Sequence, residues 1–371
     1  MHTEQLTTEA VELLKRLVST PRTSRNEGEA ATLFADFIAE KGLNPQREAN
    51  NVWCVAEGFD KARPTLLLNA HLDTVRPVSA WTRDPLCPTL EGDRLYGLGT
   101  NDDGASLVAL TQAFRVLSSR SQSYNLILLA SAEEEVSGRD GIERALPLLP
   151  HVDVALVGEP TGMQPAIAEK GLMVLDVTAH GKAGHAAREE GINAIYRALD
   201  DINWFRTFRF PKESELLGFV KMSVTIIQAG TQHNVVPDEC HFTVDVRSNE
   251  CYSNEDIYNK VCSSVSSEVQ ARSFRLNSSC IKPTHPLVRR ALALGPTLNG
   301  RPRATFGSPT LSDQALMPWP SMKMGPGDSA RSHTADEYIC ISEIHAAIED
   351  YVEMLDGLAL SKKDTETQSR S

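Results

Sequence analysis

Three short and almost uninterrupted apolar runs, at residues 65–70, 124–130 and 152–157, alternate with stretches of helical apolar spacing at 104–117 and 140–148. A continuous apolar run of that length reads as a strand buried on both faces. Strands alternating with helices in turn read as a largely parallel sheet with both sides covered. The chain is therefore expected to be α/β, a mostly parallel mixed sheet with helices on both faces. In such a sheet, functional groups belong beyond the carboxyl ends of the strands.

From Gly171 the pattern changes to strand 172–180, helix 193–205, strands 220–228 and 241–247, helix 254–269 and strand 273–281. This βαββαβ order is the ferredoxin-like split unit. Helix, strand and helix then resume at 287–294, 321–324 and 341–355. Residues 172–282 are thus expected to form a domain inserted into a catalytic domain made of 1–171 and 283–361, with a frayed polar tail at 362–371. A chain of 371 residues also exceeds the usual size of one core. Its first segment reads as an amphipathic helix through Ala10, Leu13, Leu14 and Leu17 that stops before Pro21 and lacks the regions of a signal peptide.

The formal charge of -12 argues against nucleic acid or an anionic membrane as partner, since either needs a basic patch. No apolar run reaches membrane-spanning length. Seven scattered cysteines without a Cys-x-x-Cys pair suit buried free thiols in a reducing cytoplasm.

The chemistry sits at the ends of the apolar runs. His71 and Asp73 follow the first, Glu133-Glu134-Glu135 the second and Glu159-Pro160 the third. Asp102 stands with Asn101 and Asp103 before a helix, and His333 lies in the returning segment. Singly, each has a plainer reading: a polar turn, a helix N-cap, a solvated acidic loop. Together they change meaning, because glutamates at the end of a buried strand repel one another unless a cation or proton is present. Imidazole and carboxylate donors suit zinc, and one glutamate can ligate while its neighbour acts as general base. In the inserted segment, His185 on a small-residue loop reads alone as a surface histidine. Asn234 belongs to the same segment, and Arg247 at a strand end reads as a carboxylate clamp or as half of a surface ion pair.

Taken in order, these motifs resemble the dinuclear zinc amidohydrolase and peptidase family that contains acetylornithine deacetylase, succinyl-diaminopimelate desuccinylase, aminoacylase and carboxypeptidase G. The resemblance runs from the N-terminal helix to Leu355. Lys323-Met324-Gly325-Pro326-Gly327 and Ser332-His333-Thr334-Ala335-Asp336-Glu337-Tyr338 look most like the acetylornithine deacetylase branch, including relatives acting on N-acyl-citrulline or N-succinyl-ornithine. It implies two zinc ions, replaceable by cobalt, bridged by Asp102, with His71 and Glu159 completing one and Glu135 and His333 the other. It further implies Glu134 as general base, Asp73 orienting His71, and His185, Asn234 and Arg247 meeting the scissile carbonyl and the substrate's α-carboxylate. A cis Asp102–Asp103 peptide is also implied, as is a homodimer through the inserted lid domain, with His185 reaching the neighbouring subunit's site.

The reaction so implied is removal of a short acyl group from the α-nitrogen of ornithine or citrulline, in arginine biosynthesis. A dipeptidase, exopeptidase or desuccinylase with the same core is the alternative among enzymes. A metal-binding interaction protein without catalysis is the alternative of another class; an unligated Glu134 beside five ligands speaks against it. Leu98, the Asp103-Gly104 pair and the Thr310-Leu311-Ser312-Asp313 loop depart from many relatives and bear on substrate rather than on the metal ligands.

Overall fold

The computed structural model describes residues 2–188 and 190–362, so the expectation for the tail falls, beyond Lys362, outside the described residues. Two compact units emerge. Among the described residues, the first holds 2–167, Cys280–Phe306 and 312–362; the second holds 168–188, 190–279 and Gly307–Leu311.

The first unit is built on a mixed sheet in the order Pro45–Glu48, Asn51–Val55, Asn125–Ser131, Thr65–His71, Val154–Val157, Ser321–Lys323. Its four central strands are parallel, and the two at the Pro45 edge are antiparallel. The alternation of side chains explains why these runs are apolar throughout. Leu66, Leu68, Leu126, Leu128 and Ala130 pack on one side with Leu14, Phe114 and Ile348, while Leu67, Ile127, Leu129 and Val157 pack on the other with Ile142 and Ala145. Helices Thr3–Val18, Ala105–Ser118 and Ile341–Leu355 supply the first side. Each leucine or phenylalanine so buried contributes about 1.5–3 kcal/mol. The helix expected at 140–148 is shorter, Ile142–Ala145 with a 3-10 turn at Leu146–Leu148. Pro147 has no amide hydrogen to continue the α-helical ladder.

In the second unit the elements run strand Met173–His180, helix Ala194–Thr207, strands Lys221–Ala229 and Glu239–Arg247, helix Asn254–Cys262, strand Glu268–Ala271. The four strands form an antiparallel sheet with Lys221–Ala229 at one edge and Glu268–Ala271 at the other. Leu175, Val177, Phe205, Phe242, Val244 and Val261 fill its core. Two expected boundaries are corrected here. The helix expected at 254–269 ends at Cys262, and the unit's last strand is Glu268–Ala271, ahead of the expected 273–281, where only Ser279–Cys280 is a strand. The buried carboxylate of Asp201 accepts hydrogen bonds from the amides of Ser266 and Ser267, at 3.1 and 2.9 Å, and turns the chain out of the helix. Val265 and Val269 pack on the core from this turn and strand.

The expectation that the cysteines are buried holds only for Cys54 and Cys240; Cys87 and Cys262 are exposed. Among the described residues no helix is long and apolar enough to cross a membrane.

Candidate metal centre

Parallel pairing brings three strand ends to one edge of the first unit's sheet. Strand Thr65–His71 ends on His71, strand Asn125–Ser131 leads into the glutamate run, and strand Val154–Val157 leads to Glu159. A fourth group comes from the loop before helix Ala105–Ser118, where Gly99 adopts a left-handed φ of 72° and the Asp102–Asp103 peptide is cis, as the resemblance implies. His333, with φ of 59°, comes from the loop after the short 3-10 turn Ser329–Arg331.

These side chains converge. His71 is 2% exposed, and its Nε2 lies 3.1 Å from Asp102 Oδ1 and 4.0 Å from Glu134 Oε2. The other Asp102 oxygen faces His333 Nε2 at 3.7 Å, and that nitrogen lies 2.9 Å from Glu135 Oε2. Asp102 thus presents one oxygen to each imidazole. Two sets of donors lie close enough to share an ion: His71, Glu134 and Glu159, and His71, Asp102 and Glu135. Glu135 Oε1 is buried without a hydrogen-bond partner.

The ring of His71 is oriented from Asp73 by a route the sequence did not specify. Nδ1 pairs with the Asp73 main-chain carbonyl at 3.0 Å, while the carboxylate stands behind at 3.5 Å. Donation from Nδ1 to that carbonyl leaves Nε2 free to act as a ligand in the neutral ring. The Asp73 carboxylate accepts hydrogen bonds from the amides of Glu134 at 3.0 Å and Glu135 at 3.3 Å, and from Ser24 Oγ at 2.6 Å. One aspartate therefore ties the His71 strand end to the glutamate turn.

The electrostatics are those of crowded acids. Burial, together with the charges of Glu159, Asp313 and Glu135, pushes Glu134 well above the usual carboxylate range. Burial does the same to Asp103, and it lifts Asp313 to about 7 although Ser131 donates to it at 2.5 Å. Hydrogen bonding to Glu135 raises His333 to about 9. For His71, burial favours the neutral ring, but the bonds to Asp102 and Asp73 outweigh it and the pKa rises. In the metal-free chain, protons thus offset charge that divalent cations can neutralise instead. Imidazole and carboxylate donors in two overlapping sets, with an unpartnered buried oxygen among them, fit such ions.

The remaining expected site residues lie in the second unit. His185 ends the two-residue strand Gly184–His185, which pairs with Val235–Val236; the Asn234 carbonyl accepts from Ala186 N at 3.0 Å, so these two residues are neighbours. Arg247 is held by Asp245 through bonds of 2.9 and 3.2 Å. Sequence reasoning missed several buried groups of the first unit. Arg22, Glu27, Asp313 and Glu337 are all under 5% exposed; Glu27 accepts from the Glu133 amide at 3.0 Å. Asp313 and Glu337 lie in segments singled out above but received no role, Arg22 and Glu27 stand in no marked pattern, and the partners of all four are far along the chain.

Comparison with known proteins bears on the family and the fold. Residues 67–357 match peptidase family M20/M25/M40. The chain is similar to an acetylornithine deacetylase of Proteus mirabilis, 25% identical over 378 residues, covering 95% of this chain and 97% of the relative. In structure it is similar to aminopeptidase PepT of Bacillus cereus, with a TM-score of 0.73, 18% identity and coverage of 94% and 98%. It is also similar to a dinuclear metal-binding peptidase of the M20 family from Bacillus subtilis, with a TM-score of 0.69, 16% identity and coverage of 95% and 98%.

Proposed function

The chain belongs to peptidase family M20/M25/M40, and from that premise we propose that it hydrolyses the amide of an N-acyl-α-amino acid. The substrate we assign is N2-acetyl-ornithine or a close analogue, N-acetyl-citrulline or N-succinyl-ornithine, with arginine biosynthesis in the cytoplasm as the setting. The observation that carries the hydrolytic reading is the convergence of His71, Asp102, Glu134, Glu135, Glu159 and His333 at one edge of the sheet. The substrate class is supported by end-to-end similarity to an acetylornithine deacetylase.

Two divalent ions, zinc or cobalt, would be held by Asp102 between them, by His71 and Glu159 on one side and by Glu135 and His333 on the other. When bound, such ions polarise a carbonyl and acidify water. Glu134 is assigned as general base. Its buried position among acids gives it a high proton affinity, which suits a group that takes a proton from water and returns it to the leaving amine. Asp73 holds His71 and the backbone of Glu134 and Glu135 in place. His185 is assigned to the developing oxyanion, and Asn234 and Arg247 to the substrate; the Arg247 guanidinium, now paired with Asp245, is suited to exchange that partner for an α-carboxylate.

Zinc-loaded protein should be assayed side by side on acetyl-ornithine, acetyl-citrulline, succinyl-ornithine, succinyl-diaminopimelate and dipeptides. Turnover of an acyl-ornithine or acyl-citrulline at the highest kcat/KM supports the assignment. Dipeptides in first place would make the chain a peptidase, and no turnover with metal bound would favour a binding protein.

A further inference from the structure

We propose that Arg22 is a positioning residue of this centre, which together with Glu337 clamps the loop carrying Asp102 against the strand end carrying His71. The inference rests on the metal-site reading above. Arg22 is only 2% exposed. Its Nη1 donates to the Leu72 carbonyl at 2.5 Å, and its Nη2 donates to the Gly99 carbonyl at 2.8 Å. Leu72 follows His71 directly, and Gly99 lies three residues before Asp102. One rigid, planar guanidinium therefore spans both ligand-bearing segments.

Glu337 holds the same loop from its amide side. Its Oε2 accepts from Gly99 N at 2.9 Å, and its Oε1 accepts from Asn101 N at 2.8 Å and Asp102 N at 2.9 Å. Gly99 is thus bound through its N–H by the carboxylate and through its C=O by the guanidinium. Two glycines leave the room this needs. A Cβ at Gly99 would lie 2.5 Å from Arg22 Nη2, and one at Gly104 would lie 3.2 Å from it and 2.6 Å from Leu14. Both positions pack against the guanidinium, so its place is set by shape as well as by hydrogen bonds.

Charge gives the clamp a second effect. Glu337, Asp73, Asp103 and Asp102 all act on the guanidinium electrostatically. A permanent cation at this point relieves part of the repulsion among acids that must stay close for two ions to bind. Partners behind metal ligands that fix their orientation commonly change metal affinity by about 10- to 100-fold when removed.

The test uses the full chain. Zinc affinity is measured by chelator competition for the parent, Arg22→Met and Arg22→Lys, alongside the visible spectrum of the cobalt-loaded forms and thermal unfolding of the metal-free forms. Arg22→Met is expected to bind zinc about 10- to 100-fold more weakly. Arg22→Lys, which keeps the charge but loses the two-pronged bond, should recover part of that loss and show an altered cobalt spectrum. Parent-like zinc affinity and cobalt spectrum in Arg22→Lys and Arg22→Met overturn the proposal. So does a loss confined to the metal-free melting temperature. Should Arg22→Met fail to fold, the lysine variant decides by the same criteria. A parent chain that binds no zinc refutes the metal-centre reading itself, a result distinct from parent-like variants of a zinc-binding parent.

Discussion

Glu134 and Glu135 are adjacent in sequence, share Asp73 as backbone partner and yet face different neighbours. Glu135 meets His333 at 2.9 Å, whereas Glu134 stands 4.0 Å from His71. If Glu134 is the base, Glu134→Gln should keep about two metals per chain and lower kcat by about 10²- to 10⁴-fold. Glu135→Gln should instead lose metal, measured by atomic emission. The reverse pattern would exchange the two roles. Titration gives an independent check on the metal-free chain. Asp313, raised by burial from 3.8 to about 7, holds a proton in the folded state that the unfolded chain releases near pH 4. The folded state then binds more protons than the unfolded one, so stability falls as pH rises from about 4 to about 7. His333, raised from 6.5 to about 9, contributes stability that is fully present below pH 6.5 and lost as pH rises through about 9. Metal-free melting temperatures should therefore decline from pH 5 to pH 9. Saturating zinc should remove the His333 part, since a ligating imidazole is neutral. A melting temperature that rises across this range in the absence of metal would contradict the burial of Asp313.

At the scale of elements, the short Ser263–Ser267 connection shows how one side chain can outvote a local pattern. Asp201 accepts from two amides and from Ser267 Oγ, and it is 6% exposed. Asp201→Ala leaves two amides without these partners and should cost about 1–3 kcal/mol in urea unfolding. An unchanged midpoint would mean that the turn is held by its flanking elements. The same contrast separates what could be read in the chain from what could not. The central strands were legible because burial on both faces makes them continuously apolar, and parallel pairing then puts His71, Glu135 and Glu159 on one edge. The helix at Gly28–Glu40 and a small separate sheet of Tyr338–Cys340, Arg94–Tyr96 and Thr89–Glu91 carry weaker patterns and escaped notice. Arg22 and Glu337 were illegible for another reason. Their partners lie 50 and 238 residues away, at Leu72 and Gly99, and only the folded backbone brings those carbonyls and amides within reach.

For the whole molecule, exposed apolar groups on the second unit bear on association. Strand Lys221–Ala229 is a sheet edge, and Ile226 and Ile227 on it are 52% and 51% exposed; Tyr196 and Leu199, on the helix beside it, are 69% and 51% exposed. Long apolar edges left open invite pairing with another chain, and an apolar patch of this kind marks an interface. We expect the full chain to sediment as a dimer and Ile226→Lys to shift it towards monomer without loss of far-ultraviolet ellipticity. A parent that stays monomeric at micromolar concentration would refute this. If His185 serves the neighbouring subunit's site, as the resemblance implies, a sharper result follows. Separately prepared His185→Ala and Glu134→Gln proteins should each be nearly inactive. In a mixed dimer, the His185→Ala chain keeps its own Glu134 and receives an intact His185 from its partner, so one of the two sites is complete. Random exchange of subunits should then restore about a quarter of the parent rate. If His185 acts within its own chain, both sites of the mixed dimer lack one group and mixing restores nothing. Exchange must be verified by mass under native conditions, because subunits that never part would give the same silence for a different reason.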